Sequence, residues 1–206
     1  MVHLYDHVAS GNSYKIRLLL SQLGIEFTTE TMPVVGDRDA LRGPEFFARN
    51  PAGKIPTIVL DDGTVLAEST AILWYFAEGT QYLPDDKLDR VRVLQWMAFE
   101  QNQHETSIAT RRYALSIADA PADPALLAFW EKLGHRTLQV MERHLAERGY
   151  FVAERYTIAD IALYAYTHMA DAGGFDLADY PRVQAWCERV RNQPGHVEIG
   201  QSGSAG

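Results

Sequence analysis

Two small polar side chains stand directly before the first predicted helix. Ser10 and Asn12 lie in the stretch SGNSYKIRLLL (10–20), where polar residues precede a run with helical spacing. A helix start carries unpaired backbone N–H groups and the positive end of the helix dipole, and both favour a bound anion. The same residue types are ordinary helix N-caps. The segment alone therefore leaves two interpretations, a simple cap or an anion site.

A Glu-Ser pair stands at a second predicted helix start. Glu68 and Ser69 lie in LAEST (66–70), between an apolar strand-like run and a helix. Ser69 could donate its hydroxyl and backbone N–H to a carboxylate, and Glu68 could accept from an ammonium group. Together they would hold the α-amino acid end of a ligand, although simple capping also explains the pair.

A proline begins a predicted strand in the stretch GKIPT (53–57). Pro56 has no N–H to donate to a sheet, so the start of a strand suits it. A cis Ile55–Pro56 bond would instead let Ile55 present its N–H and C=O to a peptide group of a ligand. Only about 5–6% of X–Pro bonds are cis, so the tripeptide alone favours trans.

These residues lie between the elements of a predicted β-α-β-α-β-β-α unit. Apolar and β-branched runs predict strands over 2–6 and 26–32, and Asp-Asp-Gly within 54–69 predicts a hairpin. Such an order gives a small mixed sheet. Helical spacing dominates the rest of the chain, with helices predicted at 12–23, 43–50, 69–79, 87–118, 124–148, 157–171 and 180–193.

Composition narrows the possible partners. The 206 residues carry a net charge of −8, which argues against nucleic acid and anionic membranes as main partners. No apolar run approaches the ~20 residues of a membrane span, and the first residues lack the layout of a secretory signal. Cys187 is the single cysteine, and His104 lacks the second His of a zinc helix motif. We expect a cytoplasmic protein without a metal.

The combination and order of the motifs resemble the glutathione transferase family over nearly the whole chain. Ser-x-Asn before the first helix, GKIPT and AESTAI match its N-terminal half, and TIADI matches the capping box of its helical half, with Thr157 and Asp160 serving folding. The resemblance implies a thioredoxin-like α/β domain (1–79), a linker (80–86) and an all-α domain (87–200). The Gly/Ser-rich tail (201–206) is expected to be disordered.

The resemblance also implies roles for the motif residues. Ser10 aligns with the catalytic Ser of zeta- and theta-like members, where beta-class members carry Cys, and Asn12 is similar to the Asn that nu-class-like members place near the sulfur. Glutathione would be a co-substrate, with no tightly bound cofactor. Its binding would use Ile55 beside a cis Pro56 for the cysteinyl backbone, Glu68 and Ser69 for the γ-glutamyl end, and Lys54 near a carboxylate.

Ser10 suits thiol activation in physical terms. A cysteine thiol has a pKa of ~8.5, and lowering it by two units requires about 2.7 kcal/mol. One charge-assisted hydrogen bond supplies about 1.5–3 kcal/mol, and a helix start adds about 0.3–1 kcal/mol. Ser10 would act as a donor, because no partnered histidine that would make it a nucleophile is evident. Tyr5 is a rival donor, although strand tyrosines usually pack, and Tyr14 is expected on the helix surface.

Several hypotheses remain open. The leading one is a transferase whose glutathione thiolate attacks a small electrophile. Disulfide or peroxide reduction is an alternative, and a zeta-like isomerase is disfavoured because SGNS lacks that class's SSC. A non-catalytic interaction protein of the same fold is the last. The resemblance further implies a homodimer, and a second-substrate pocket for which the candidate residues are Tyr5, His104, Arg111, Arg112 and Tyr113.

Overall fold

The computed structural model describes residues 1–34, 36 and 39–201, and the chain divides into two compact units. The first unit is Met1–Glu78 together with the residues from Pro194 onward, and the second is Gly79–Gln193. The sequence assigns residues up to 200 to the helical domain, whereas the segment after Gln193 packs with the first unit. The predicted domain boundaries stay a prediction, and the tail at 202–206 lies outside the described residues.

The first unit contains a four-stranded mixed sheet in the order β2-β1-β3-β4. β1 pairs in parallel with β2, and β3 is antiparallel to both β1 and β4. The predicted strand and helix order is confirmed, with one additional short helix, α2. The elements are β1 Val2–Asp6, α1 Gly11–Leu23, β2 Phe27–Thr31, α2 Asp39–Arg42, α3 Pro44–Arg49, β3 Thr57–Val59, β4 Val65–Ala67 and α4 Ser69–Ala77.

Strand register brings three segments to one end of this sheet. Tyr5 in β1 lies opposite Thr57 in β3, and Thr57 lies opposite Ala67 in β4. The carboxyl end of β1, the start of β3 and the end of β4 are therefore neighbours. The three candidate motifs directly follow β1, precede β3 and follow β4, so the topology alone gathers them at this end.

Helix α1 is buried along most of its length and ends at Gly24, whose φ of 65° is the left-handed conformation that glycine favours. The expectation that Tyr14 lies on the helix surface is wrong. Its ring is fully buried, and its hydroxyl donates to Val197 O at 2.8 Å. Ser21 Oγ likewise donates to Gly195 O at 2.8 Å. The segment after Pro194 thus covers a face of α1 that helical spacing assigns to solvent.

The second unit is helical throughout its regular elements. The predicted helix at 87–118 is present at Lys87–Ser116, but its middle is π-helical over Glu100–Ala109. Each residue of α8 is buried, which makes it the central helix of the unit. The helices are α5 Lys87–Phe99, α6 Thr110–Ser116, α7 Pro124–His144, α8 Ile158–Thr167 and α9 Pro181–Arg191, with 3₁₀ turns at Ala170–Gly173 and Leu177–Asp179.

The predicted capping box at the start of α8 is confirmed. Thr157 Oγ1 accepts from Ala159 N at 3.3 Å, and the Asp160 carboxylate accepts from Thr157 N at 2.9 Å. Asp160 also accepts from the indole N–H of Trp186 at 3.0 Å, which ties α8 to α9. Within the described residues, no helix is long and apolar enough to cross a membrane.

Candidate functional site

Ser10 is the N-cap of α1. Its backbone is extended, and its Oγ accepts from Ser13 N at 3.2 Å, while Tyr14 N donates to Ser10 O at 2.9 Å. Capping is therefore present. It does not compete with a donor role, because a serine hydroxyl that accepts one bond still has a proton to donate. The same atom can hold the helix start and face an anion.

The loop between β1 and Ser10 is held by a buried arginine. Arg17 Nη1 lies 2.5 Å and 2.6 Å from the two carboxylate oxygens of Asp6, at the end of β1. Arg17 Nη2 donates to Val8 O at 3.0 Å and to Ile199 O at 2.7 Å. Arg17 is fully buried and Asp6 nearly so. This ion pair fixes the loop that positions Ser10, and no local sequence pattern indicates it.

The Ile55–Pro56 peptide bond is cis, as the family resemblance implies. Pro56 is buried, Ile55 is partly exposed and Lys54 is exposed. Ile55 lies just before β3, at the end of the sheet where the three motifs meet, and outside the paired residues of that strand. Lys54 supplies a positive charge beside it.

Asn50, for which the sequence motifs predict no role, shapes the loop before the cis proline. Its Nδ2 donates to Lys54 O at 2.8 Å and to Thr57 Oγ1 at 3.0 Å, and its Oδ1 accepts from Ala52 N at 3.0 Å. Gly53 has a φ of 59°, and a Cβ there would lie 2.8 Å from Leu41 O. An Asn six residues before a proline, with a Gly between the two, is the sequence pattern that could have indicated this loop.

Glu68 has an unusual backbone at the start of α4. Its φ of 66° and ψ of 116° are sparsely populated for a residue other than glycine. Glu68 is exposed, whereas Ser69, the first residue of α4, is buried. The turn places the exposed residue Glu68 directly before the free N–H groups of a nine-residue helix. This arrangement suits an ammonium and a carboxylate on one ligand.

A direct contact joins the two helix starts. Ser69 Oγ donates to Asn12 Oδ1 at 3.2 Å, and Lys15 Nζ donates to the same oxygen at 2.7 Å. The positive ends of α1 and α4 therefore meet, with Ser10 and Asn12 on one side and Glu68 and Ser69 on the other. The site can bind an anionic or nucleophilic atom near α1 and an α-amino acid group near α4.

Tyr5 lies in a packed cluster of the first unit. It is buried with Met32, Leu41 and Phe46, and its ring meets that of Phe46 edge-on at 5.3 Å. The Arg49 guanidinium lies 5.6 Å from the ring centroid. These contacts are those of a packing residue, and a role for Tyr5 in substrate binding stays a prediction.

His104 and Arg111 hold the second unit together. Thr167 Oγ1 donates to Leu163 O at 2.7 Å, so His104 Nε2 is the donor in its 2.8 Å bond to Thr167 Oγ1. Arg111 donates to Leu127 O at 3.2 Å and to Gly173 O. Arg112 and Tyr113 are partly exposed on α6. That these four residues line a pocket stays a prediction.

The described residues support neither a metal site nor a reactive cysteine thiol. Across the described ranges, no cluster of three or more His, Cys, Asp or Glu side chains could hold a metal ion. Burial raises the pKa of the Cys187 thiol to about 12. That side chain is therefore an inert core residue, as its position beside Trp186 on α9 predicts.

Comparison with known proteins shows the family of this chain. Residues 9–78 match the family described as "Glutathione S-transferase, N-terminal domain", and residues 114–189 match "Glutathione S-transferase, C-terminal domain". The chain belongs to the glutathione S-transferase family. The α/β and all-helical units are therefore the two parts of the glutathione S-transferase fold, as the sequence motifs predict.

Several members of the family resemble this chain over nearly its whole length. A glutathione S-transferase-like protein, LUC7, from Fusarium sp is 30% identical over 199 residues, 91% of this chain and 87% of the relative. The disulfide-bond oxidoreductase YfcG of Escherichia coli K12 is 30% identical over 201 residues, 94% of this chain and 92% of the relative. A crystal structure of a possible glutathione S-transferase from Rhodopseudomonas palustris is 42% identical with a TM-score of 0.93, covering 100% of this chain and 93% of that chain.

Proposed function

We propose that this protein is a catalytically active glutathione transferase. The carrying observation is the convergence of Ser10 and Asn12 with the Glu68–Ser69 turn, joined by the 3.2 Å bond from Ser69 Oγ to Asn12 Oδ1. In this proposal the γ-glutamyl end of glutathione binds Glu68 and the start of α4. Its cysteinyl backbone pairs with Ile55 beside the cis proline. The thiol then lies at the start of α1.

The start of α1 would activate this thiol. The Ser10 hydroxyl or the Asn12 amide donates to the sulfur, and the helix dipole favours the negative charge. Together these contributions are about 2–4 kcal/mol, enough to lower the thiol pKa by about two units. The thiolate then forms a bond to an electrophilic carbon and displaces a leaving group such as halide. No cofactor participates in this step, and glutathione is the co-substrate.

Titration calorimetry with millimolar glutathione tests the binding. We expect saturable binding with a Kd below the millimolar concentrations used, and the absence of binding would refute the proposal. Turnover of an aryl halide by Ser10→Ala and Asn12→Ala then identifies the donor. Loss of one charge-assisted hydrogen bond is expected to lower kcat/KM by about 10–100-fold. Unchanged turnover by the double variant would remove both residues from the mechanism.

Disulfide reduction is the second candidate, and one comparison favours it. YfcG, whose name gives it a disulfide-bond oxidoreductase activity, covers 94% of this chain. Here the glutathione thiolate would attack a disulfide sulfur, form a mixed disulfide and release the other sulfur as a thiolate, and a second glutathione would resolve the product. The chain has Ser rather than Cys at position 10, so glutathione must supply both thiols. Comparing turnover of a disulfide and an aryl halide separates the two functions.

We also propose a cytoplasmic homodimer. Leu88, Val91 and Leu94 are spaced three apart on α5 and are about half exposed, which leaves an apolar strip on the helical unit. A cytoplasmic location accords with the reducing glutathione pool there. Light scattering is expected to give twice the monomer mass, and Val91→Glu is expected to shift that value toward the monomer. A monomeric wild-type protein would refute the dimer.

A further inference from the structure

Lys15 is a charged residue with no exposed surface. Its side chain is fully buried in α1, and its Nζ donates to Asn12 Oδ1 at 2.7 Å. Burial of an ammonium group is costly, and proteins retain such groups where a fixed partner or a function requires them. The partner here is one of the two residues proposed to contact the glutathione sulfur.

The chemistry of Lys15 sets the orientation of the Asn12 amide. An ammonium group has three donors and no acceptor, so the oxygen of the amide must face it rather than the nitrogen. Ser69 Oγ donates to the same oxygen at 3.2 Å. Rotation of the amide by half a turn would place Asn12 Nδ2 against the ammonium and lose the bond from Lys15, whereas the Ser69 hydroxyl can donate or accept and so pairs with either branch of the amide. The NH₂ group of Asn12 is thus held on the opposite branch of the side chain.

We propose that Lys15 is a positioning residue for thiol activation, acting through Asn12. This inference rests on the proposed function, because it requires glutathione sulfur at the start of α1. With Oδ1 fixed by Lys15, Asn12 presents N–H rather than C=O to the sulfur. A bond from an ammonium group to the amide oxygen also polarises the amide and makes its N–H a better donor. Without Lys15 that constraint on the orientation is lost, because the Ser69 hydroxyl can pair with either branch of the amide, and an amide oxygen turned toward the sulfur disfavours the thiolate.

The contact with Ser69 links Asn12 to the residues proposed to bind the other end of glutathione. Ser69 is the first residue of α4 and is proposed to bind the γ-glutamyl carboxylate. Its hydroxyl also touches Asn12, so the recognition of one end of glutathione and the activation of the other share one amide oxygen. Lys15 keeps that oxygen in place whether or not the hydroxyl of Ser69 turns toward the ligand.

The test measures the thiol pKa of bound glutathione, from thiolate absorbance in the ultraviolet as pH is varied at saturating glutathione. Lys15→Met removes the bond to Asn12, and Lys15→Gln, one atom shorter, breaks it with a polar side chain. Either variant is expected to raise the bound thiol pKa by about one unit, which is about tenfold less thiolate at a fixed pH below that pKa. At neutral pH kcat is expected to fall while the KM for glutathione stays within about twofold. Lys87→Met, which removes an exposed lysine at the start of α5, is the matched control and leaves the thiol pKa unchanged.

A double-mutant cycle decides whether Lys15 acts through Asn12. In an Asn12→Ala background, the Lys15 substitutions are expected to change the thiol pKa very little. An equal change in both backgrounds would mean that Lys15 acts by its charge alone and would overturn the proposal, as would a thiol pKa unaffected by Lys15 in the wild-type background. Circular dichroism and thermal unfolding identify which of the two Lys15 variants folds, and that variant enters the cycle. If wild-type protein formed no thiolate with glutathione, the proposed function itself would fail before the variants are compared.

Discussion

Replacing Asp160 by alanine is expected to destabilise the protein severely. The carboxylate is fully buried and accepts four hydrogen bonds. Oδ1 accepts from Phe151 N at 3.2 Å and from the indole N–H of Trp186 at 3.0 Å. Oδ2 accepts from Thr157 N at 2.9 Å and from Thr157 Oγ1 at 3.1 Å. One side chain therefore satisfies donors from the start of α8, the preceding loop and α9.

The magnitude follows from the donors that alanine would leave unpaired. Three buried N–H groups lose their acceptor in Asp160→Ala, and each costs about 1–3 kcal/mol. Partial relaxation reduces the sum, so we expect a loss of about 4 kcal/mol from a typical total of about 5–15 kcal/mol. Asp160→Asn retains one oxygen, and its amide nitrogen can accept from none of the donors. About half of the loss is expected for that variant.

Urea unfolding followed by tryptophan fluorescence and circular dichroism measures these losses. Asp123→Ala is the matched control, because Asp123 is an exposed N-cap whose carboxylate accepts from Ala125 N at 2.8 Å. Removal of such a cap costs about 1 kcal/mol. If Asp160→Ala lowered the unfolding free energy no more than Asp123→Ala does, the buried network would not carry the stability assigned to it.

The stability that Asp160 contributes is expected to decrease with rising pH. Burial raises the pKa of Asp160 to about 6, from 3.8 in the unfolded chain, although the donors around it favour the carboxylate. The folded state then holds this proton more tightly than the unfolded state between those two values. The stability that Asp160 contributes is thus highest below pH 3.8 and decreases as pH rises through 6. The advantage of wild type over Asp160→Asn is expected to be larger at pH 4 than at pH 7, by up to about 3 kcal/mol. An advantage that grew with pH would contradict this account.

Three further predictions concern other parts of the molecule. Arg17→Met is expected to lower the unfolding free energy by about 3–5 kcal/mol, because it leaves Asp6 buried without its cation; urea unfolding measures this, and adding Asp6→Leu should recover part of the loss. Asn50→Ala is expected to weaken glutathione binding about tenfold in calorimetry, because the loop before the cis proline loses its ties, worth about 1–2 kcal/mol; an unchanged Kd would refute that role. Cys187 is expected to resist thiol reagents until denaturant is added, because burial raises its pKa to about 12; labelling of the folded protein would show the thiol to be accessible.

The sequence predicts the regular elements of this fold well where a local rule governs them. Gly24 ends α1 in the left-handed conformation, and the capping box of Thr157 and Asp160 begins α8, as their types and spacing indicate. Two apolar runs on either side of Asp-Asp-Gly likewise predict the hairpin of β3 and β4. Each of these rules depends on a few neighbouring residues, so no knowledge of the tertiary structure is needed.

Buried polar residues on α1 could not be predicted in this way. Tyr14, predicted to lie on the helix surface, and the charged residues Lys15 and Arg17 beside the apolar face of α1 are all fully buried. Part of the cause is the segment after Pro194, which returns from a distant part of the sequence and accepts hydrogen bonds from Tyr14 and Arg17. The π-helical stretch Glu100–Ala109 could not be predicted either, because its sequence is compatible with an ordinary α-helix.

The candidate site shows how much of a binding site can be predicted from local sequence motifs. Ser10, Pro56 and Glu68 each have an ordinary explanation as a cap, a strand entry or a turn, and no single one indicates a ligand. Strand register supplies the missing step, because Tyr5, Thr57 and Ala67 are paired across the sheet and the three motifs must therefore meet. Once they meet, two helix starts and the peptide group of Ile55 lie at one end of the sheet, as the proposed glutathione site requires. Their joint placement at one end of a sheet is hard to explain by capping alone, since capping requires no such convergence.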